Sequence, residues 1–565
     1  MARAITTAPS FSVDAAGVTT VQASLSEPFG AAAEFNADFS WTNGKGLPTV
    51  EGDLIGGSLR GKPVLPLGQN VPGTVNWQID AGLQHDTSDG VITYSFLTQR
   101  HATGLNNSPS FGEGRGYSPF TPAQQAAARI AIQNWDDLIA PRFVEVKAGP
   151  GASTWAQNTA DIMLANTTTG PDQAWAYYPG YGRQYERIAG DVWIADPRFN
   201  GSNGQLEPGQ YGLQTLNHEL GHAIGLSHPG NYNFGDDNDG DGLPDPITYE
   251  GDAFYFQDSN QFTIMSYFDS YETGAQNIDW NLMRFVYPST PMVHDVAVAQ
   301  AKYGADMTTR TGDTTYGFNA TADVTNEAMR FRANELFTIF TIWDAGGKDT
   351  LDLSGYATPS VIDLREGAYS SAGGFGAYNA ALAGTEPTLA AINANNAAAG
   401  LGARSARLYE IYFNGNWSDD GGATLVNEGL SWKEITGTGP GYLMEQNIGI
   451  AYGAIIENAK GGSGNDRING NQANNQFWGN GGVDTFVLGR YGANDTSVDS
   501  IMDFQTGIDK IDLSEFGITA ATAAARVSFA GDLLRIDTDG NGSFDMNVNV
   551  YGSDVNAATD YVFFG

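Results

Sequence analysis

A nine-residue period between positions 461 and 488 constrains what this chain can fold into more than any other feature. Three copies run in register: GGSGNDRIN from Gly461, GNQANNQFW from Gly470 and GNGGVDTFV from Gly479. Asp466, Asn475 and Asp484 are nine apart, and so are Ile468, Phe477 and Phe486. A unit this short cannot bury its one large apolar side chain alone, so neighbouring copies must stack and share a core. The glycines allow sharp half-turns whose carbonyls, with one carboxylate, face a hard cation held between successive turns; Ca²⁺ takes such oxygen ligands. Asn475 in place of an aspartate weakens one of those sites.

Composition points the same way. The 565 residues carry 64 Asp and Glu against 28 Lys and Arg, a net charge of −36. That balance excludes a protein that works by neutralising nucleic-acid phosphates. Glycine, 72 residues, is about 13 % of the chain, nearly twice the usual share of about 7 %. The absence of cysteine removes disulfides, thiolate metal sites and cysteine nucleophiles together. No run of about 18 apolar residues marks a membrane span, and the first residues lack the apolar stretch of a general secretory signal.

The chemistry is concentrated in His218-Glu219-Leu220-Gly221-His222-Ala223-Ile224-Gly225-Leu226-Ser227-His228, which holds three of the six histidines. On a helix, His218 and His222 stand one turn apart on one face, and both imidazoles can reach one Zn²⁺ at about 2.0–2.1 Å. Glu219 is rotated about 100° from His218, beside the metal, where it can act as a general base. Gly225 can turn the chain back so that His228 supplies a third nitrogen, which leaves a fourth position open for catalysis.

This segment resembles the zinc signature of the metzincin proteases, and Thr263-Ile264-Met265-Ser266-Tyr267 resembles their Met-turn. Pro229-Gly230-Asn231-Tyr232 and Arg310–Phe318 are similar to the serralysin branch. The resemblance implies that Met265 floors the zinc histidines and that the Tyr267 phenol stabilises the oxyanion. The nonapeptides resemble the RTX calcium-binding β-roll, with Gly462, Gly464, Asp466, Gly479, Gly482 and Asp484 as calcium ligands. The family pattern adds a calcium set of Arg310, Gly312, Asp313, Thr314, Asp344, Gly346, Gly347, Asp349 and Glu457. Two loops with DxDx[DN]G spacing are further calcium candidates: Asp237, Asp239, Asp241 and Asp245, and Asp537, Asp539, Asn541 and Asp545. Neither has the glutamate at position 12.

The expected fold is α+β: a metzincin zinc-protease domain followed by an all-β, calcium-binding parallel β-roll. Residues 1–75 read as an N-terminal extension or pro-segment, 76–305 as the catalytic domain, and 306–565 as the roll. The roll is interrupted by an insertion at 371–445 and ends in a secretion signal. Strands are expected at Val91–Leu97, Asp161–Ala165, Gln173–Tyr178 and Asp191–Ala195, and less firmly patterned strand-like residues at Phe35–Trp41. Helices are expected from Thr121 to Ile139, Gly212 to Gly225, Met292 to Tyr303 and Glu386 to Ala399.

The resemblance implies a secreted, extracellular, monomeric zinc endopeptidase with one catalytic Zn²⁺ and several structural Ca²⁺ ions. Its substrate would pair with an edge strand at Trp175, Ala176 and Tyr177. Implied partners are polypeptide substrates and the type I secretion apparatus, with a proteinaceous inhibitor or a cell-surface layer left open. The rival readings are a calcium-dependent adhesive or surface-layer RTX protein with a vestigial protease domain, and a zinc hydrolase of non-peptide amides.

Overall fold

The computed structural model describes residues 83–98, 112–147, 160–180, 188–230, 247–414 apart from three single positions, 442–491 and 496–564, with Tyr232 and a few short pieces elsewhere. The Phe35–Trp41 strand and the Asp237–Asp245 loop lie outside the described residues.

Alternation of apolar residues in Val91–Phe96 makes β1, the second strand of a five-stranded sheet. Its companions are β2 (Arg142–Glu145), β3 (Ile162–Thr167), β4 (Ala174–Ala176) and β5 (Asp191–Ala195), in the order β2-β1-β3-β5-β4. All neighbours are parallel except β4, which runs antiparallel to β5 and forms an open edge. The expected Gln173–Tyr178 strand is therefore shorter than its pattern, with three residues in the ladder.

Helix α1 (Pro122–Asp136) starts where Thr121 predicts. The Thr121 hydroxyl accepts from the Gln124 N–H at 3.2 Å, and the Gln124 side chain accepts from the Thr121 N–H at 3.0 Å. Helix α2 (Tyr211–Ala223) packs across α1, where the buried Trp135 indole donates to the Asn217 carbonyl at 3.1 Å. Gly225 follows α2 at φ +97°, and a Cβ there would lie 1.8 Å from the Leu83 carbonyl oxygen. Only glycine satisfies both demands. Helix α3 (Val293–Tyr303) closes this half.

The nine-residue period becomes a two-sheet winding. Asn458–Lys460, Arg467–Asn469, Gln476–Trp478 and Thr485–Val487 are strands assigned alternately to two sheets. Each pairs in parallel with the strand two repeats on, Asn458 with Gln476 and Arg467 with Thr485. Ile468, Phe477 and Phe486 are each 0 % exposed, so the period-nine apolar position fills the space between the sheets.

One apolar core runs unbroken from Ile92 to Val550. Residues 389–414 form two helices, α4 (Leu389–Ala398) and α5 (Ala406–Asn414). Helix α4 begins later than Glu386, because the Thr388 hydroxyl caps it through the Ala391 N–H at 3.2 Å. Its neighbour α5 was not anticipated. Together they build a second apolar cluster with Tyr271, Trp280, Met283 and Phe375. Phe375, Ile392, Leu408, Tyr412, Phe413 and Tyr442 thus tie the described part of 371–445 to the first half of the molecule. No described helix is long and apolar enough to cross a membrane.

Candidate metal centre

Helix α2 carries His218 and His222 on one face, and the turn at Gly225 returns His228 to them. One ring nitrogen from each lies within 4.8 Å of the others. The three Nδ1 atoms face backbone carbonyls: His218 donates to Ile264 at 2.6 Å, His222 to Leu226 at 2.7 Å and His228 to Tyr232 at 3.0 Å. A carbonyl oxygen only accepts, so each ring holds its proton on Nδ1 and turns a bare Nε2 lone pair inward. Nε2 of His222 and Nε2 of His228 are 3.0 Å apart. Two lone pairs at that distance repel unless a cation lies between them, and tetrahedral Zn–N bonds of 2.0–2.1 Å bring ligand nitrogens to about 3.3 Å.

The protonation states agree with a ligand set. Burial lowers the His218 pKa to about 4. Burial, with the like charges of His228 and His218, lowers His222 well below its ordinary value. Both rings are neutral at neutral pH, as a metal ligand must be. Glu219 sits between them in sequence, 5 % exposed, with its Oε2 buried and without a hydrogen-bond partner among the described residues. Burial raises its pKa to about 8. An orphaned buried carboxyl beside three bare imidazole nitrogens fits a dication, whose field would restore the ionised form.

Met265 is fully buried beneath α2. A Cβ on Gly221 would lie 2.6 Å from the Met265 sulfur and 3.2 Å from the Trp135 ring. The glycine between the two helix histidines is thus the space the Met-turn occupies. Gly221→Ala is expected to destabilise the fold by about 1–3 kcal/mol through overpacking, read as a lower urea midpoint with an unchanged slope.

Tyr267 is 39 % exposed at the rim, its ring 4.4 Å from the His228 ring and 6.2 Å from that of His218. Trp175, 38 % exposed, and Ala176 lie in edge strand β4, and Tyr177 follows them, its hydroxyl donating to Glu113 at 2.8 Å. The Tyr178 ring next to them meets the His222 ring edge-on at 5.5 Å.

Two carboxylates that sequence reasoning missed hold this geometry. Asp295, at the third position of α3, accepts from the N–H groups of Ile264 and Met292 at 2.7 and 2.8 Å and from the Thr263 hydroxyl at 2.6 Å. It fixes the residue whose carbonyl orients His218. Asp258 accepts from the Ser266 and Tyr232 hydroxyls at 2.7 and 2.8 Å, bracing the residue whose carbonyl orients His228. Asp295 had a legible signal, an acid in a first helical turn; Asp258 had none.

The proposed calcium sets are also drawn together. The Thr314 N–H donates to Asp349 at 2.7 Å, the Asp349 N–H to Glu457 at 2.7 Å and the Lys348 N–H to Asp313 at 3.1 Å. Asp344 accepts from the Gly346 N–H at 2.9 Å, and a Cβ on Gly347 would lie 2.2 Å from the Gly312 carbonyl oxygen. The Arg310 side chain leaves this group and pairs with Asp137 at 2.6 Å. Burial raises the pKa of Asp349, and its Oδ2 has no hydrogen-bond partner among the described residues.

In the repeats the Gly462 N–H donates to Asp466 at 2.5 Å and the Asp466 N–H to Asp484 at 2.8 Å. A Cβ on Gly482, at φ +125°, would lie 2.0 Å from the Gly464 carbonyl oxygen, and one on Gly479 would lie 2.2 Å from Asp484 Oδ2. That Oδ2 is buried and without a hydrogen-bond partner among the described residues. Asn475 differs: its amide donates to the Glu457 carbonyl at 3.1 Å and to Asn471 at 2.8 Å, so hydrogen bonds close this copy. In the last loop Asp537 accepts from the N–H groups of Gly540, Asn541 and Gly542, Asp539 from that of Asn541, and Asp545 from that of Thr538.

Residues 305–403 and 439–563 match the family described as the peptidase M10 serralysin C terminal, which leaves 404–438 outside the match. Serralysin of Proteus mirabilis is 32 % identical over 75 % of this chain and 74 % of its own length. Metallopeptidase AprA of Pseudomonas marginalis is 32 % identical over 82 % and 84 %, and metalloprotease AprA of Pseudomonas entomophila is 31 % identical over 88 % and 92 %. With a zinc-type histidine cluster above a buried methionine and similarity along most of its length, the chain belongs to the serralysin family of M10 metallopeptidases.

Proposed function

We propose that the protein is a secreted zinc endopeptidase with His218, His222 and His228 as ligands, Glu219 as general base and Tyr267 as an oxyanion donor. The observation that carries this reading is the convergence of three outward-anchored imidazoles beside an orphaned carboxyl group. The three Nε2 atoms would hold the zinc, which would supply Lewis acidity for activating water and for polarising the scissile carbonyl. Glu219 takes the proton from the attacking water and delivers it to the leaving amine. The Tyr267 phenol, at the exposed rim, donates a hydrogen bond to the oxygen that gains negative charge. An extended polypeptide would run along the outer side of edge strand β4 at Trp175–Tyr177, where Ala176 lies between residues whose backbone pairs with β5. Met265 is the floor.

In this reading residues 1–75 are an extension or pro-segment, 76–305 the catalytic domain and 306–565 the calcium-binding roll. Its calcium ligands are Asp313, Asp344, Asp349, Glu457, Asp466 and Asp484 with carbonyls of the intervening glycines. Secretion would run through a type I apparatus. Retention of every ligand and of the base argues against the vestigial-protease alternative.

Casein hydrolysis before and after a zinc-selective chelator, with zinc added back, tests the proposal. Activity that is lost and then restored is expected; turnover indifferent to the chelator would overturn it. Tyr267→Phe is expected to lower kcat by about 10²-fold with little change in KM, measured on a fluorogenic peptide.

A further inference from the structure

We propose that Arg284 and Arg404 form a carboxylate-binding site for an acidic residue of the polypeptide substrate, a reading that rests on the proteolytic function above. Arg284 lies in the two-residue strand Arg284–Phe285, which pairs with Ile278–Asp279, and Arg404 lies between α4 and α5. One network joins them. Arg284 donates to the Asn396 side-chain oxygen at 2.9 and 3.2 Å, the Asn396 amide donates to the Leu282 carbonyl at 2.9 Å, and Arg404 Nε approaches that carbonyl at 3.5 Å.

In a chain with 64 acids to 28 bases, an arginine should find an acid. Arg310, Arg365 and Arg467 each grip an aspartate at 2.6–2.7 Å. Among the described residues Arg284 and Arg404 form no ion pair, and the oxygens that accept from them are neutral, although Asp279 lies near both. Asp279, buried beside them, accepts instead from the Leu282 and Phe337 N–H groups at 3.2 Å. Both guanidiniums are partly buried: desolvation, with the like charge of Arg404, lowers the Arg284 pKa to about 10, and desolvation lowers that of Arg404 as well. The surroundings add donors. Tyr412 packs against Phe285 at 5.9 Å and Trp280 at 6.0 Å, and the buried Trp280 indole N–H has no acceptor among the described residues. Two cations beside the single buried Asp279, with a surplus of donors, are complementary to a further carboxylate, which arginine binds with charge-assisted hydrogen bonds.

The position suits a substrate contact. Three residues beyond Arg284, the Tyr287 ring meets that of Tyr211 at 5.0 Å, and Tyr211 opens the helix that carries Glu219. Along that path the arginine pair lies on the order of 20 Å from Glu219, a span of about six extended residues. Arg404 and Tyr412 fall in the segment that the family match omits.

The test uses two fluorogenic peptides with one cleavable core, carrying Asp-Asp or Asn-Asn about six residues from the scissile bond on either side. At low salt the acidic peptide is expected to be preferred about tenfold in kcat/KM, through KM. Arg404→Gln and Arg284→Gln should bring the ratio to near one, Arg404→Lys should keep part of it, and Arg404→Glu should invert it towards a Lys-Lys peptide. Inorganic phosphate as competitor separates a site for any small anion, which it would block, from one shaped for the peptide, which it would spare. Equal use of the two peptides by the native protein, or a preference unchanged in both glutamine variants, overturns the proposal. If neither peptide is cut, the proteolytic reading has failed, and anisotropy of the labelled acidic peptide on the Glu219→Gln protein decides the arginine site alone. Weakening of at least about tenfold by Arg404→Gln supports it, and equal affinity refutes it.

Discussion

Replacing Glu219 by glutamine is expected to lower kcat on casein by about 10²–10⁴-fold while the bound zinc stays near one per chain. The argument is geometric. Glu219 follows a ligand on α2 but is absent from the converging nitrogens, and its Oε2 has no hydrogen-bond partner among the described residues. Glutamine keeps the shape and removes the basic oxygen, so the histidines keep their carbonyl anchors at Ile264, Leu226 and Tyr232. Zinc content measured beside peptide turnover separates loss of the base from loss of the metal. Full turnover with normal zinc would refute the assigned role.

The second large effect is calcium withdrawal. Without cations, burial raises Asp466 to about 7 and Asp484 to about 6, and raises Asp349 as well. An acid whose folded pKa lies above its unfolded value near 4 binds protons more tightly when folded. In chelator, stability is therefore expected to fall as pH rises from about 4 through about 7, where the buried carboxylates must ionise unpaired. Bound calcium is expected to supply the missing charge and reverse the slope, since the proton would then compete with the ion. Thermal melts followed by circular dichroism from pH 5 to 8, with EGTA or with excess Ca²⁺, should diverge steadily with pH. Parallel curves would remove calcium from the account of these sites.

Local signals were legible wherever one residue type has one job. The Thr121–Gln124 capping box, the positive φ at Gly225 and the period-nine apolar positions all follow from short-range rules. The histidine spacing placed His218 and His222 together because a helix repeats every 3.6 residues, and the turn at Gly225 returned His228 to them. Features set by distant chain were not legible. Asp258 and Asp295 act through Tyr232 and Ile264, contacts that no spacing announces. Helix α5 owes its place to Trp280 and Phe285, well over a hundred positions earlier. Asn475 reads as a weakened ligand, and the bonds from its amide to the Glu457 carbonyl and to Asn471 were not legible in the repeat.

The alternation of strands between two sheets, with Arg467 opposite Thr485, imposes a parity rule on how this fold can evolve. Duplicating one nonapeptide would hand every later strand to the wrong sheet and aim each downstream aspartate at the opposite rim. Duplicating two would merely lengthen the spiral by one full coil. Growth or shrinkage of the array is therefore viable in steps of eighteen residues.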